Sequence, residues 1–98
     1  MCGIIGIASN KSVSTNIINA LKKLEYRGYD SAGLATIIND QINEKKCSGR
    51  VEKLENILFE NPSAGNLGIG HVRWATHGVP NIINAHPHSS DEVSVVHN

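Results

Sequence analysis

The first eight residues, MCGIIGIA (Met1–Ala8), combine a cysteine at position two with a short apolar run. Isoleucine-rich runs of this length are typical of buried β-strands, and glycines within a strand let a neighbouring element pack closely. We therefore predict a buried strand over residues 2–8. Its first residue is unusual, because chain termini are commonly loose and seldom carry structural side chains.

Two interpretations of Cys2 are open from these residues. Cys2 is either an incidental small side chain at the edge of a strand, or the first residue of a chain from which Met1 is removed. In the second case one α-carbon carries both a thiol and a free amine. The ordinary pKa of an α-amine, about 7.7–8.0, makes its neutral form available as a base near pH 7. Isolated Met-Cys beginnings are more often incidental, so residues elsewhere must decide.

Composition excludes several classes of function. The chain has 98 residues, 40% apolar and 18% charged, with a formal net charge of zero. Nucleic-acid-binding and membrane-surface proteins usually carry a basic excess. No basic segment precedes the first apolar run, and no run approaches the roughly 20 apolar residues of a membrane span. We therefore expect a protein that binds neither nucleic acid nor membrane. Because two cysteines are too few for a disulfide framework, we also expect it to be cytoplasmic.

Hydrophobic periodicity predicts an alternation of strands and helices. The stripe formed by Ile17, Ile18, Leu21 and Leu24 predicts an amphipathic helix over residues 14–26. The other expected elements are strands over residues 32–38, 41–47, 67–74 and 92–97, a helix that begins at residue 51 and is ended by Asn61-Pro62, and an irregular stretch over residues 75–91. This order predicts an α+β fold with helices packed on a sheet. Because the last strand ends the sequence without a closing turn, we expect the first part of a larger domain.

The strand over residues 67–74 runs into a loop with four candidate binding residues. Arg73, Trp74, Thr76 and His77 lie within five positions, at the end of a rigid element that can orient side chains better than a loop. The planar guanidinium of Arg73 suits a carboxylate, and Thr76 and His77 add hydrogen-bonding groups. A surface arginine beside an aromatic anchor is an equally open interpretation.

Two further features offer weaker indications. In the loop Arg27-Gly28-Tyr29-Asp30, a structural ion pair between Arg27 and Asp30 is one interpretation, and support of a neighbouring site is the other. Asn98 carries an amide that could donate to an oxyanion.

The five histidines, at positions 71, 77, 86, 88 and 97, suggest a metal site, above all the pair in His86-Pro87-His88. No carboxylate or cysteine lies at ligand spacing beside them. The glycines at positions 65, 68 and 70 precede a strand rather than a helix, which is the wrong order for a phosphate-binding loop. We therefore expect neither a metal nor a cofactor.

Five short motifs occur in one order along the chain. They are CGIIG (residues 2–6), LEYRGYDSAG (24–33), GHVRWATHG (70–78), NAHPH (84–88) and VVHN (95–98). From first residue to last, this series resembles the N-terminal glutaminase domain of the glutamine–fructose-6-phosphate aminotransferase (isomerizing) family, the glucosamine-6-phosphate synthases. Other class II glutamine amidotransferases, such as amidophosphoribosyltransferase, share the Cys-Gly start but resemble the chain less in the second and third motifs.

The resemblance implies an N-terminal-nucleophile (Ntn) hydrolase fold, an αββα sandwich of which residues 1–98 form the N-terminal part of one glutamine amidotransferase domain. It implies that Cys2, exposed by removal of Met1, attacks the side-chain amide of L-glutamine, giving a thioester and ammonia, with its own α-amine as general base. The other implied roles are binding of the glutamine α-carboxylate by Arg73, shaping of that pocket by Trp74, Thr76 and His77, donation to the oxyanion by Asn98, and support of the nucleophile's loop by Arg27 and Gly28.

The chain is shorter than the family pattern. In the family, a glycine after VVHN supplies a second oxyanion donor, an acidic residue further on binds the glutamine amine, and a C-terminal isomerase domain uses the ammonia to make glucosamine 6-phosphate from fructose 6-phosphate. Residues 1–98 contain none of these, so we expect little or no glutaminase activity from them alone. The expected partners are the remainder of the synthase or further copies in a homo-oligomer. The alternative is an inactive remnant of a truncated gene, or a split-gene fragment that acts only with a separately encoded remainder.

Overall fold

A four-stranded antiparallel sheet with two helices forms most of the protein, whose computed structural model describes all residues, 1–98. The main elements are β1 (Gly3–Ala8), α1 (Ser14–Leu24), β2 (Ser31–Ile38), β3 (Gln41–Ser48), α2 (Val51–Glu60) and β4 (Leu67–Arg73). The strands lie in the order β1-β4-β2-β3, and a separate two-stranded ladder joins β5 (His88–Ser89) to β6 (Ser94–Val95). Neither helix is long and apolar enough to cross a bilayer.

Helix α1 lies close against the sheet because β4 presents glycines to it. A Cβ added at Gly70 would lie 2.6 Å from Ile17, and one at Gly68 would lie 2.7 Å from the same side chain. Ile17, Leu21 and the sheet residue Leu34 are fully buried in the resulting core. This burial confirms the predicted apolar stripe of α1 as its core face. Each fully buried side chain of this kind contributes about 1.5–3 kcal/mol to folding by leaving water.

Strands β2 and β3, both of which were predicted, pair as a β-hairpin. Ile38 pairs with Gln41, and the two residues between them, Asn39 and Asp40, have φ values of 52° and 61°. Two consecutive residues with positive φ make the type I′ turn that fits the twist of paired strands, and Asn and Asp tolerate this conformation. The polar composition of β3 therefore did not prevent pairing.

The ends of two predicted elements differ from the structure. The helix predicted over residues 14–26 is α-helical to Leu24 and continues as a 3₁₀ turn over Glu25–Arg27. The strand predicted to Trp74 ends at Arg73.

The strand predicted over residues 92–97 is wrong in its extent, since only Ser94–Val95 pair, with His88–Ser89. The Ser90 N–H donates to the Val93 carbonyl over 2.8 Å. The Ser90 hydroxyl in turn accepts the N–H groups of Glu92 and Val93, at 3.3 and 3.2 Å. These bonds place Glu92 and Val93 in the turn between β5 and β6, where they cannot extend the strand.

Helices cover only one face of the main sheet. On the other face, called the outer face below, Ile4, Ile37 and Leu67 are 40%, 43% and 49% exposed. The segment over residues 79–98 lies over part of this face, in contact through Lys46 and His71. The prediction that β1 is buried is therefore wrong for the residues that point to the outer face.

Candidate active site

Cys2 lies directly before β1, beside the peptide that joins Arg73 to Trp74. The pairing of Gly3 with Val72 brings the start of β1 to the end of β4. There the Trp74 N–H donates to Cys2 Sγ over 3.3 Å, and the sulfur lies 3.8 Å from the Trp74 carbonyl oxygen. Both polar backbone groups of Trp74 therefore contact the thiol and hold it beside the end of β4.

The turn after α1 packs against the same loop. Arg27 Nε donates to the Cys2 carbonyl over 2.9 Å. A Cβ added at Gly28 would lie 2.5 Å from the carbonyl carbon of Arg73 and 2.7 Å from the nitrogen of Trp74. No side chain fits in that space, so the close approach requires glycine. The structure therefore places Arg27 and Gly28 in direct contact with the residues around the thiol.

Asp30 fixes the backbone on the far side of this loop. Its carboxylate accepts the Ala75 N–H and, over 2.9 Å, the Ser31 hydroxyl. Its own N–H donates to the Arg73 carbonyl over 3.2 Å. The predicted ion pair between Arg27 and Asp30 is therefore wrong. The Asp30 carboxylate binds the Ala75 N–H and the Ser31 hydroxyl instead. Sequence reasoning missed the contact with Ala75, since the two residues are 45 positions apart.

Arg73 ends β4 and is 7% exposed. Its Nη1 donates to the Val79 carbonyl over 3.2 Å, and its Nη2 donates to the His77 carbonyl. The guanidinium therefore folds the loop that follows β4 back onto the strand. Because a guanidinium has five N–H donors, three remain for a carboxylate ligand.

An open pocket of about 450 Å³ lies beside this loop. Its lining residues are Tyr29, Asp30, Trp74, Ala75, Thr76, Gly78 and Pro80. The Trp74 and Tyr29 rings form a T-shaped contact with 5.8 Å between ring centroids, and Thr76 Oγ1 lies 3.3 Å from His77 Nδ1. Two of the predicted binding residues, Trp74 and Thr76, thus line the pocket, whereas Arg73, His77 and Cys2 do not.

Asn98 is exposed, and its side chain is not hydrogen-bonded to Cys2, whose sulfur contacts Trp74. The nearest bond to the sheet belongs to the preceding residue, because the His97 carbonyl lies 2.8 Å from His71 Nε2. The structure therefore does not bring Asn98 together with the other predicted site residues.

Three histidine rings pack in a row on the outer face of the sheet. The ring centroids of His71 and His86 are 4.3 Å apart, and those of His86 and His88 are 4.5 Å apart. Burial lowers the pKa of the His71 ring. Burial, together with electrostatic repulsion from His71, lowers the pKa of His86 to about 4. The planes of His71 and His86 are 21° apart, a face-to-face stack, whereas those of His86 and His88 are tilted by 57°. No three metal-binding side chains converge on one point. The sequence contained the residues of this stack but no signal for their packing.

No family model matches the chain. Over its whole length the chain is 58% identical to the glutamine–fructose-6-phosphate aminotransferase (isomerizing) of Clostridium acetobutylicum, 56% to that of Mesorhizobium japonicum and 55% to that of Agrobacterium fabrum. The chain belongs to the glutamine–fructose-6-phosphate aminotransferase family. Members of the family are transferases, and the predicted resemblance is confirmed.

The chain spans 16% of the length of these aminotransferases and corresponds to their N-terminal part. Its fold is similar to the solved structure of the glutamine phosphoribosylpyrophosphate amidotransferase of B. subtilis complexed with ADP and GMP. The TM-score is 0.76 at 23% identity, over 96% of this chain and 20% of that chain. The predicted Ntn hydrolase fold is therefore confirmed.

Proposed function

We propose that the chain carries the nucleophile that hydrolyses glutamine for an aminotransferase. The observation that supports this proposal is the position of Cys2 Sγ, 3.3 Å from the Trp74 N–H, with the Cys2 carbonyl anchored by Arg27. A half-buried thiol that faces an amide donor, next to an arginine and an open pocket, has the parts of a cysteine acyl-transfer site. The proposed reaction releases ammonia from the side-chain amide of L-glutamine.

In this proposal, removal of Met1 frees the amine of Cys2 to take the thiol proton. The sulfur attacks the amide carbon, the proton passes to the amide nitrogen, and ammonia leaves as the C–N bond breaks, giving a γ-glutamyl thioester. Water then cleaves the thioester to glutamate and restores the thiol. The bond from Arg27 to the Cys2 carbonyl keeps the nucleophile in place once Met1 is gone.

Arg73 is the proposed partner of the glutamine α-carboxylate, and Trp74, Thr76 and His77 are proposed to shape the pocket around it. Arg73 is nearly buried and its guanidinium is already fixed by two backbone carbonyls. A fixed guanidinium loses little further freedom when it binds a carboxylate. Asn98 is the proposed donor to the oxyanion, a role whose loss costs about 10²–10³ in rate in acyl-transfer enzymes.

The wider proposal concerns the longer relatives, whose names include fructose 6-phosphate. We propose that residues 1–98 act as the N-terminal part of a cytoplasmic protein as long as these relatives. In that protein, ammonia from the Cys2 site would convert fructose 6-phosphate to glucosamine 6-phosphate. A second candidate is that residues 1–98 work only when a further polypeptide, the remainder of the synthase or another copy, covers the outer face. The exposed apolar side chains of Ile4, Ile37 and Leu67 favour it.

The proposed nucleophile is tested with the γ-(p-nitrophenyl) ester of L-glutamate, which acylates a thiol more easily than the amide does. The protein is prepared without Met1, as checked by intact mass, and nitrophenolate release is followed together with the mass gained at Cys2. We expect one γ-glutamyl group on Cys2 and none in Cys2→Ala. Cys47→Ala is the matched control, because Cys47 is 4% exposed on the helix face of the sheet.

Acylation of Cys2→Ala at the wild-type rate, or no acylation of the wild type, would contradict the proposal. Ammonia release from L-glutamine separates the two candidates. We expect the rate of ammonia release to be very low for residues 1–98 alone. The rate should rise on addition of a longer relative in which the nucleophilic cysteine has been replaced. A fast release by residues 1–98 alone would refute the second candidate.

A further inference from the structure

His71 is a fully buried side chain whose hydrogen bond the proposed reaction has not used. It lies on β4, opposite Ile4 of β1 and Gly33 of β2, and is 0% exposed. Its Nε2 lies 2.8 Å from the carbonyl oxygen of His97. Because a carbonyl only accepts, the proton of the neutral ring is on Nε2. The other nitrogen, Nδ1, is buried without a partner, and burial lowers the pKa of this ring.

The His71 ring has a fixed position because His86 packs on its face, with 4.3 Å between centroids and 21° between planes. His86 is itself clamped to the sheet. Lys46 Nζ donates to the carbonyls on either side of it, at 2.9 and 3.1 Å. A Cβ added at Gly33 would lie 2.1 Å from the His86 carbonyl oxygen, so the backbone of the segment touches the sheet there.

The bond from His71 fixes the peptide group that contains the nitrogen of Asn98. The carbonyl of His97 and the N–H of Asn98 belong to one planar unit, so holding the oxygen also sets the direction in which Asn98 begins. The segment leaves the β5–β6 ladder after Val95. Beyond that residue, the bond from His71 is the one that ties the segment to the main sheet.

We propose that His71 is a positioning residue that, through the His97 carbonyl, sets the place from which Asn98 reaches the oxyanion; this inference rests on the proposed function. The sheet then connects both ends of the site. Strand β4 contacts the nucleophile through Trp74, directly after its last residue, and contacts Asn98 through His71. Since a misplacement of about 1 Å can cost about 10²-fold in rate, loss of the bond is expected to slow the acylation of Cys2.

The first arm of the test measures order and needs no activity. In ¹⁵N-labelled protein, the backbone order parameter of Asn98 is compared between wild type, His71→Phe, His71→Gln and His88→Ala. We expect a fall below about 0.6, the range of flexible backbone, in His71→Phe alone. The Gln amide can still donate to the His97 carbonyl, and His88 has no bond to that peptide. An Asn98 that is as ordered in His71→Phe as in wild type would overturn the proposal.

The second arm measures the rate of Cys2 acylation by the γ-(p-nitrophenyl) ester. We expect His71→Phe to lower the maximal acylation rate by about 10- to 100-fold, with unchanged half-saturation and with recovery in His71→Gln. In an Asn98→Ala background, His71→Phe should have no further effect. Additive effects of the two substitutions would overturn the inference alone. Absence of any acylation in the wild type would instead overturn the proposed function, while the order parameters still decide the placement of Asn98. Slowed exchange of the β4 amides in every variant confirms that each one is folded.

Discussion

Replacement of Gly28 by alanine gives the sharpest prediction about the candidate site. Gly28 has φ of −177° and ψ of 135°, an extended conformation open to any residue, so the cost of a methyl group is purely steric. The new Cβ would lie 2.5 Å from the carbonyl carbon of Arg73, and ordinary contact begins at 3.4 Å. The backbone must therefore separate by about 0.9 Å, and this peptide carries the N–H that contacts Cys2 Sγ.

We expect Gly28→Ala to lower the free energy of unfolding by about 1–3 kcal/mol, the usual cost of overpacking. We also expect it to slow acylation of Cys2 by the γ-(p-nitrophenyl) ester by about 10²-fold, the cost of a misplacement near 1 Å. Gly6→Ala is the matched control, since its Cβ would meet only Ile69, at 3.9 Å. Urea denaturation and nitrophenolate release measure the two effects. A Gly28→Ala protein as stable and as reactive as the Gly6→Ala control would refute the steric argument.

Three other predictions address the histidine stack, the core and the loop. Because burial lowers the pKa of His86 to about 4, from an ordinary 6.5, the unfolded state binds more protons between these values. The free energy of unfolding should therefore rise with pH between about 4 and 6.5 and become constant above that range. The total rise should be less than the ~3 kcal/mol expected for a fully buried ring. In urea titrations at several pH values, His86→Phe should reduce this dependence on pH. Ile17→Ala should lower the free energy of unfolding by about 2–5 kcal/mol, whereas Ile83→Ala, at a side chain 79% exposed, should change it by less than about 0.5 kcal/mol. Asp30→Ala removes the acceptor of the Ala75 N–H and should slow ester acylation about 10- to 100-fold; an unchanged rate would contradict the role given to that carboxylate.

The elements predicted correctly are those whose signals are local. The stripe of Ile17 and Leu21 marks the core face of α1, because this pattern depends only on neighbouring positions. The tight turn at Asn39-Asp40 has an equally local signal, since both residue types tolerate positive φ. The misplaced strand at residues 92–97 shows the limit of such patterns. An apolar alternation indicates which residues could form a strand, but the extent of pairing depends on a partner strand and on the Ser90 bonds that start a turn.

The site contacts are long-range and could not be derived from spacing. Cys2 and Trp74 are 72 positions apart, and the engagement of Asp30 with Ala75 replaces the local ion pair that its sequence neighbours suggest. The motif series indicated the family and the candidate residues, but no motif states which atoms meet. The stack of His71 on His86 likewise depends on a segment that returns to the sheet through Lys46.

The position of the nucleophile depends on strand register rather than on the terminus itself. Antiparallel pairing of Gly3 with Val72 puts the residue before β1 next to the residues after β4, so the ladder orders a segment that would otherwise be loose. A slip of one residue would move Cys2 by about 3.4 Å along β4 and turn every β1 side chain to the opposite face. Gly3 would then leave its close fit beside Leu24, where a Cβ would lie 3.0 Å away. The slip that brings Ile4 to that position would press its side chain against Leu24 of α1, so the glycine that permits close packing of the helix also disfavours that register, in which the thiol misses Trp74.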